Sequence, residues 1–302
     1  MATPRISLDQ WLAFKTVVDE GSFARAAEVL NKSQSAISYA VAQLNARLPQ
    51  PALIQQGRRA VLSDSGGILY RRAEQLLREA EEIETVARSL AAGIEVEITI
   101  AVDSLLNLDL LVCTFEEFSR AYPHTRLRIL ETALSGTTEA LLERKADVVI
   151  SPATPTGFSG TLLRNITMIP VAAPTHPLGA CGRLVTEAEL RGHRQIVLRD
   201  TGSRRTQDSG WLQASKRWTV SHFSNSIKVI RAGLGFGLLP LNWIEQELAD
   251  GSLCRIDAPP HMTRVVPVFL MLTNRQAAGP AARALHDLVA DSLREARSLH
   301  AD

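Results

Sequence analysis

Between residues 33 and 39 the chain reads Ser-Gln-Ser-Ala-Ile-Ser-Tyr, and Ile37, Val41, Leu44 and Leu48 follow one another at steps of four, three and four. If that apolar row faces a core, a 3.6-residue period turns Gln34, Ser35, Ser38, Tyr39 and Ala42 outward. The outer face is then short, polar and uncharged. A glutamine can bond both N7 and N6 of adenine, and a serine hydroxyl suits either member of a base pair, so this face fits a DNA major groove. An ordinary solvated helix face would carry the same residues. The elements around it must decide.

Those elements read as a small helical unit. Leu8, Trp11, Leu12, Phe14, Val17 and Val18 recur at helical spacing behind Ser7, a candidate N-cap, and Gly21 is the stop. Ser22 can cap a second helix with Phe23, Ala26, Ala27 and Leu30 inward, and Ser33 a third, after a turn at Asn31 and Lys32. Short helices joined by so tight a turn form a helix-turn-helix. Pro49 and Pro51 end the third helix, because proline cannot continue it and pushes the preceding residue towards extended conformations. Over 52–63, Gln55, Gln56, Gly57, Arg58 and Arg59 stand between short apolar runs, the pattern of a two-stranded hairpin, or wing. Within 1–62 seven Lys and Arg face four Asp and Glu, an excess compatible with phosphate binding, although the whole chain carries only +1.

From 64 to 90 one long helix is expected. Leu69, Ala73, Leu76, Ala80, Ile83, Ala87 and Leu90 alternate steps of four and three, the narrow seam that a coiled coil requires. We read it as a dimerisation surface; the alternative is packing on the chain's own C-terminal domain. Ala91, Ala92 and Gly93 make a hinge. The expected division is therefore a winged helix-turn-helix at 1–63, a linker helix at 64–92 and a further domain at 93–302.

That last domain alternates strands and helices, which argues for α/β architecture with mainly parallel sheets. Strands are expected at 96–102, 127–131, 146–150, 168–172, 195–198, 236–239, 253–256 and 265–272. Helices are expected at 105–122, 137–145 and 281–299, and near Glu187, Ile227 and Trp243. With 302 residues, 45% hydrophobic and 22% charged, the composition is that of a multidomain globular protein. The opening residues show no signal-peptide segment and no run approaches the roughly 20 apolar residues of a membrane span, so the expected location is the cytoplasm, with no membrane partner. Cys113, Cys181 and Cys254 are odd in number and far apart, so neither a disulfide framework nor a metal site is expected.

The stretch 8–66 resembles the DNA-binding domain of the LysR family of transcription regulators. GSFARAAEVL precedes the helix-turn-helix, SQSAIS stands where the family carries S-Q-P-A-x-S, and GRRAVLSDSG matches its G-R-x-x-x-L-T-x-x-G wing and helix start. The segments 173–178 (APTHPL) and 232–240 (AGLGFGLLP) resemble recurring pieces of that family's effector domain. The resemblance spans the whole chain. It implies a partly dyad-symmetric promoter DNA site, base contacts from Gln34, Ser35, Ser38 and Tyr39, and phosphate contacts from Ser33, Lys32, Arg58 and Arg59. The chain departs from the pattern at Ser35 for proline, Tyr39 for arginine, Leu53 for phenylalanine and Gln55 for a wing arginine, so the DNA sequence read by relatives does not carry over.

The resemblance further implies two lobes like those of periplasmic binding proteins, about 93–166 plus 265–302 and about 167–264. A small-molecule effector would lie between them, against Ser104, Leu105, Ser135, Thr201, Gly202, Ser203, Phe223 and Ser224. Each hydroxyl could equally be a plain helix cap. Ser104, Ser135 and Thr201 at helix starts favour an anion, and Asp103 and Asp200 beside them could repel one unless they cap the following segments. A small carboxylate is the reading adopted, with Arg204 and Arg205 adding charge if their loop faces inward. A homodimer through the linker helix and a homotetramer follow from the resemblance, and contact with RNA polymerase is left open. No cofactor is expected and no enzyme: Gly233, Gly235 and Gly237 follow a helix and precede a strand, the reverse of a dinucleotide loop. The rivals are a solute-binding protein and an α/β enzyme with an N-terminal appendage.

Overall fold

The computed structural model describes residues 3–56, 59–204 and 211–298. The chain forms two compact units, Met1–Ala91 and Ala92–Asp302, so the long helix clusters with the N-terminal one.

In the first unit three serines start three helices. Ser7 Oγ accepts from Gln10 N, and the Gln10 side chain accepts from Ser7 N, at the head of α1 (Leu8–Glu20). Ser22 caps α2 (Phe23–Val29) and Ser33 caps α3 (Gln34–Arg47). Phe14, Val17, Ala26, Ile37, Val41 and Leu44 from these helices form one buried cluster with Ala52 and Leu53 of the wing. The wing strands β1 (Leu53–Gln56) and β2 (Arg59–Leu62) pair antiparallel, Leu53 opposite Leu62. Asn45 fastens the wing to α3: its Nδ2 donates to Leu53 O at 2.8 Å, and its Oδ1 accepts from Ala52 N at 2.9 Å.

The long helix α4 (Asp64–Ala91) starts on Ser63, whose Oγ accepts from Gly66 N at 3.0 Å. A β-carbon on Gly66 would lie 1.9 Å from Ala52 O, so only glycine lets the helix start this close to the wing. The expected seam divides here. Ala73 is 2% exposed inside the winged unit's own core, with half-buried Leu69 and Tyr70 packed beside it, which corrects the assignment of Ala73 to an intersubunit surface. The first turns of α4 close the bottom of that core, and Tyr70 Oη donates to Asp19 of α1. Further along, Leu76, Ile83, Ala87 and Leu90 are exposed and Ala80 is half-buried.

The second unit runs β3 (Glu97–Asp103), α5 (Val112–Ala121), β4 (Arg126–Thr132), α6 (Ser135–Leu142), β5 (Val148–Ser151) and β6 (Thr161–Ala172). It continues through α7 (Glu187–Gly192), β7 (Arg194–Leu198), β8 (Lys216–Val220), α8 (Phe223–Arg231), β9 (Phe236–Pro240), α9 (Glu245–Ala249), β10 (Cys254–Arg255), β11 (Arg264–Leu272) and α10 (Pro280–Ser298). The strand order is β4-β3-β5-β11-β6-β9-β7-β8, with β10 also on β6. β6 pairs antiparallel with β11 up to Met168 and with β9 from Met168 to Ala172, so a single strand serves both lobes. Each lobe has its own apolar cluster, one around Ile98, Ile100, Val148 and Leu285, the other around Ile169, Ile196, Ile227 and Ile230.

Three elements differ from expectation. The single helix over 105–122 is a turn, a short 3-10 segment at Leu108–Leu111 and then α5, because Asp103 Oδ1 accepts from Leu105 N and Asn107 caps the 3-10 turn. β6 begins seven residues before the expected 168, at Thr161. β8 was not expected at all; its Lys216 and Arg217 are exposed at a sheet edge and hide the alternation.

Candidate functional site

In the first unit the outer face of α3 is clear. Gln34, Ser35, Ser38 and Tyr39 are exposed, Tyr39 by 68%, while Ile37, Val41 and Leu44 are buried on the opposite side. Ser33 Oγ accepts from Ala36 N at 3.2 Å and lies 3.0 Å from Ser35 Oγ. Lys32 Nζ lies 3.5 Å from Asp9 Oδ2 in a solvated pair, which a phosphate could displace. Arg58 lies outside the described residues, and the backbone of Arg59 begins β2.

In the second unit a cavity of about 310 Å³ lies between the lobes. The first lobe contributes Asp103, Ser104 and Leu105 after β3, Leu134 and Thr138 around the start of α6, Pro152 and Ala153 after β5, and Arg264 and Val266 of β11. Met168 of the shared strand, Leu198, Phe223 and Leu238 complete the wall. Most of these side chains are apolar. Ser104 Oγ is buried without a hydrogen-bond partner, while its carbonyl accepts from Trp243 Nε1 at 2.9 Å. Arg264 is exposed and enters none of the ion pairs found among the described residues. Leu134 has φ 56° and ψ −120° where α6 begins, a backbone conformation that a branched residue adopts only under constraint from its surroundings.

Of the residues expected here, Ser104, Leu105 and Phe223 line the cavity; Ser135, Thr201, Gly202, Ser203 and Ser224 do not. Four of those five belong to a polar seam that joins the lobes. Ser135 Oγ donates to Asp200 Oδ2 at 2.7 Å, and Gly202 N donates to Asp200 Oδ1 at 2.8 Å. Thr201 Oγ1 accepts from Ala133 N at 2.8 Å and donates to Ala133 O at 3.0 Å. The Glu139 carboxylate accepts from Ser203 N and Oγ and from Arg204 N. Gly136 permits this approach, since a β-carbon there would sit 2.0 Å from Thr201 Oγ1. In this arrangement these hydroxyls bond across the lobes. Ser224 is exposed on α8, Arg204 pairs with Glu143 at 2.7 Å, and Arg205 lies outside the described residues.

Asp103 does what a capping aspartate should: it accepts from Leu105 N at 3.0 Å and from Thr137 Oγ1 at 2.6 Å. Burial nevertheless pushes its carboxyl up to about 6; the Thr137, Leu105 and Leu134 hydrogen bonds pull it back only partly, and the charge of Asp200 adds to the rise. Arg264, Met168 and Leu238 line the cavity without having been expected there. Arg264 starts the strand that returns from the second lobe, a position visible only when both crossing strands are known. Among the described residues no cluster of His, Cys, Asp and Glu could hold a metal ion, and no helix is long and apolar enough to cross a membrane.

Residues 8–67 match the family model for the bacterial regulatory helix-turn-helix protein of the lysR family, and residues 91–294 match the LysR substrate binding domain. The chain is similar to the uncharacterized HTH-type transcriptional regulator YeeY of Escherichia coli K12, at 30% identity over 82% of this chain and 81% of that protein. It is also similar to the HTH-type transcriptional regulator AceR of Acinetobacter baumannii, at 29% identity over 94% of this chain and 96% of that protein. Among solved structures it resembles full-length AphB, a Vibrio cholerae virulence activator, with TM-score 0.52 and 18% identity, covering 94% of this chain and 99% of that one. It likewise resembles full-length LysG of Corynebacterium glutamicum with bound effector Arg, with TM-score 0.52 and 18% identity, covering 96% and 98%. At such identity these two structures attest to the fold alone.

The buried Asp103 makes a pH prediction. A carboxyl whose folded value lies above its unfolded one, near 3.8, contributes stability that is full below about 4 and is lost as pH rises through about 6. Between pH 4 and 7 this loss is on the order of 3 kcal/mol. Asp103→Asn keeps an acceptor for Leu105 N and should lack this component, so its denaturation free energy should fall less over the same interval than that of the wild type. Parallel pH profiles for the two proteins would show that Asp103 does not titrate in this way.

Proposed function

Since this chain belongs to the LysR family of DNA-binding transcriptional regulators, each with an effector-binding domain, we propose that its α3 face reads promoter DNA and that its cleft takes a small carboxylate with an apolar body. The observation that carries the ligand class is the pairing, in one mainly apolar cavity, of Ser104's buried unpartnered hydroxyl with the exposed guanidinium of Arg264, which enters no ion pair among the described residues. A buried hydroxyl without a partner is costly, and a carboxylate oxygen would satisfy it. An arginine supplies the countercharge and a two-pronged donor set. Leu105, Leu134, Met168, Leu198 and Phe223 offer the apolar walls that a hydrocarbon or aromatic body fills. The nearby Asp103 is already bonded by Thr137 and Leu105 and keeps part of its repulsion away from the ligand. The fold neighbour LysG has Arg as its bound effector, itself an amino acid with a carboxylate.

The proposal for DNA rests on the exposure of Gln34, Ser35, Ser38 and Tyr39 opposite a buried row. Lys32, Ser33, Arg58 and Arg59 supply phosphate contacts in this reading. Pairing of two copies is assigned to about the outer half of α4, where Leu76, Ile83 and Leu90 are exposed at steps of seven. A homodimer built there, and a homotetramer of two such dimers, would present two winged units to a dyad-symmetric site. An effector that prefers one arrangement of the lobes would shift the population of DNA-bound states.

Three outcomes are expected. Gln34→Ala should relax discrimination at one base step by roughly 1–3 kcal/mol, whereas Lys32→Gln should weaken all sequences alike and lower the salt slope by about 1; equal losses on specific and random DNA for Gln34→Ala would remove base reading from α3. In sedimentation, Leu76→Glu with Ile83→Glu should lower the mass without moving the denaturation midpoint of the winged unit. Ala73→Glu should lower that midpoint, and an unchanged mass in the double variant would place pairing elsewhere. In a thermal-shift screen of the full chain, apolar-bodied carboxylates should stabilise and their neutral amides should not. Ser104→Ala and Arg264→Gln should each weaken the effect, and amides that stabilise equally would refute the ligand class.

A further inference from the structure

Apart from the cleft, the first lobe carries a second cavity of about 330 Å³ at the far ends of β6 and β11, lined by Arg144, Ser159, Thr161, Asn274, Arg275 and His286 among others. No Asp or Glu is among its lining residues. Two guanidinium groups thus share one concave surface without a carboxylate between them. The acids that could serve Arg144 are engaged: Glu143 pairs with Lys145 at 2.7 Å and with Arg204 at 2.7 Å. Neither Arg144 nor Arg275 enters an ion pair found among the described residues. His286 Nδ1 lies 2.9 Å from Asp287 Oδ1, and Asp287 faces solvent and does not line the cavity.

Backbone conformation is a second, independent observation. Among the described residues, the non-glycine positions with positive φ are Asn31, Leu134 and Arg144. Asn31 makes the turn of the helix-turn-helix, and Leu134 lines the interlobe cleft. Arg144, at φ 54°, follows the C-terminus of α6, where glycine or asparagine is the usual residue because either reaches this region at less steric cost. An arginine held there places a cation at the cavity wall in spite of that cost.

We propose that this cavity is an anion site separate from the effector cleft, and that it takes a small multivalent anion bearing phosphate or carboxylate groups. An anion with two charged heads can take a charge-assisted bond from each of the two arginines that line the cavity. The hydroxyls of Ser159 and Thr161 and the amide of Asn274 supply neutral donors around them. Because Arg144 adjoins Glu143, which pairs with Arg204 in the second lobe, an anion here would act on the same turn that helps hold the lobes together.

The test is calorimetric titration of the full chain with pyrophosphate and with citrate at low ionic strength. At least one is expected to bind, and the tighter of the two identifies the headgroup as phosphate or carboxylate. Arg144→Gly, which leaves glycine in a conformation it favours, and Arg275→Gln should each weaken binding by at least about tenfold. Arg264→Gln in the cleft and Lys32→Gln in the winged unit should leave it unchanged. The proposal is overturned if neither anion binds, if binding survives both Arg144→Gly and Arg275→Gln, or if Arg264→Gln or Lys32→Gln abolishes it.

Discussion

Thr201 Oγ1 occupies the space that a β-carbon on residue 136 would need, and the shape of the second unit's binding region follows from that close approach. The lobes meet through backbone and hydroxyl groups at Ala133, Ser135, Thr201 and Ser203, reinforced by the Glu139 carboxylate. Each of these groups would otherwise require water, so the seam exchanges solvent bonds for interlobe bonds at modest net gain per bond. Its effect is geometric more than energetic. With the rim closed in this way, the space left between the lobes is the apolar pocket bounded by Leu134, Phe223 and Leu238, with Ser104 and Arg264 as its distinctive polar groups. A ligand that enters must either fit beneath the seam or open it, and either course couples occupancy to the arrangement of the lobes.

The N-terminal unit was legible almost residue by residue because its signals are local. Ser7, Ser22 and Ser33 cap the helices whose apolar rows they precede, and Ile37, Val41 and Leu44 are buried as their spacing requires. The second unit was legible in its order of strands and helices and much less so in its site. Ser104, Leu105 and Phe223 line the cleft because strand ends and helix starts in this kind of sheet point towards it. Thr201 and Ser203 carry the same local signal and go elsewhere, since their partners Ala133 and Glu139 lie more than sixty positions away. Arg264 was hidden for a related reason: its place depends on where β6 and β11 cross between lobes, and the sequence marks only the last five residues of β6.

The helix α4 shows one pattern under two demands. A strict alternation of four and three reads as a single seam, yet Ala73 closes the winged unit's core while Ile83 is 70% exposed ten residues later. Periodicity states which side of a helix is apolar, and only the surrounding elements determine what covers that side. Where α1 and the wing are close, the small side chain of Ala73 lets the helix pack tightly; beyond them the larger Leu76, Ile83 and Leu90 are exposed and outside the unit's core cluster. The row alternates bulky and small residues from Leu69 to Leu90, so residue size along it does not mark where packing within the unit ends; the reach of α1 and the wing does.

Asp103 and Ser104 are adjacent in sequence and answer opposite requirements. Asp103 is bonded by Thr137 and Leu105, and burial still raises its carboxyl to about 6, so the fold tolerates an unfavourable group to fix the turn after β3. That turn is what leaves the Ser104 hydroxyl buried and without a protein partner, its carbonyl being held by Trp243 from the second lobe. A site assembled in this way has its polar atoms oriented before a ligand arrives, which reduces the ordering cost of binding. The same construction makes the site sensitive to protonation: as Asp103 loses its proton above about 6, a negative charge appears next to the hydroxyl that would receive a carboxylate. Affinity for an anionic ligand should then weaken with rising pH even though the ligand's own charge no longer changes.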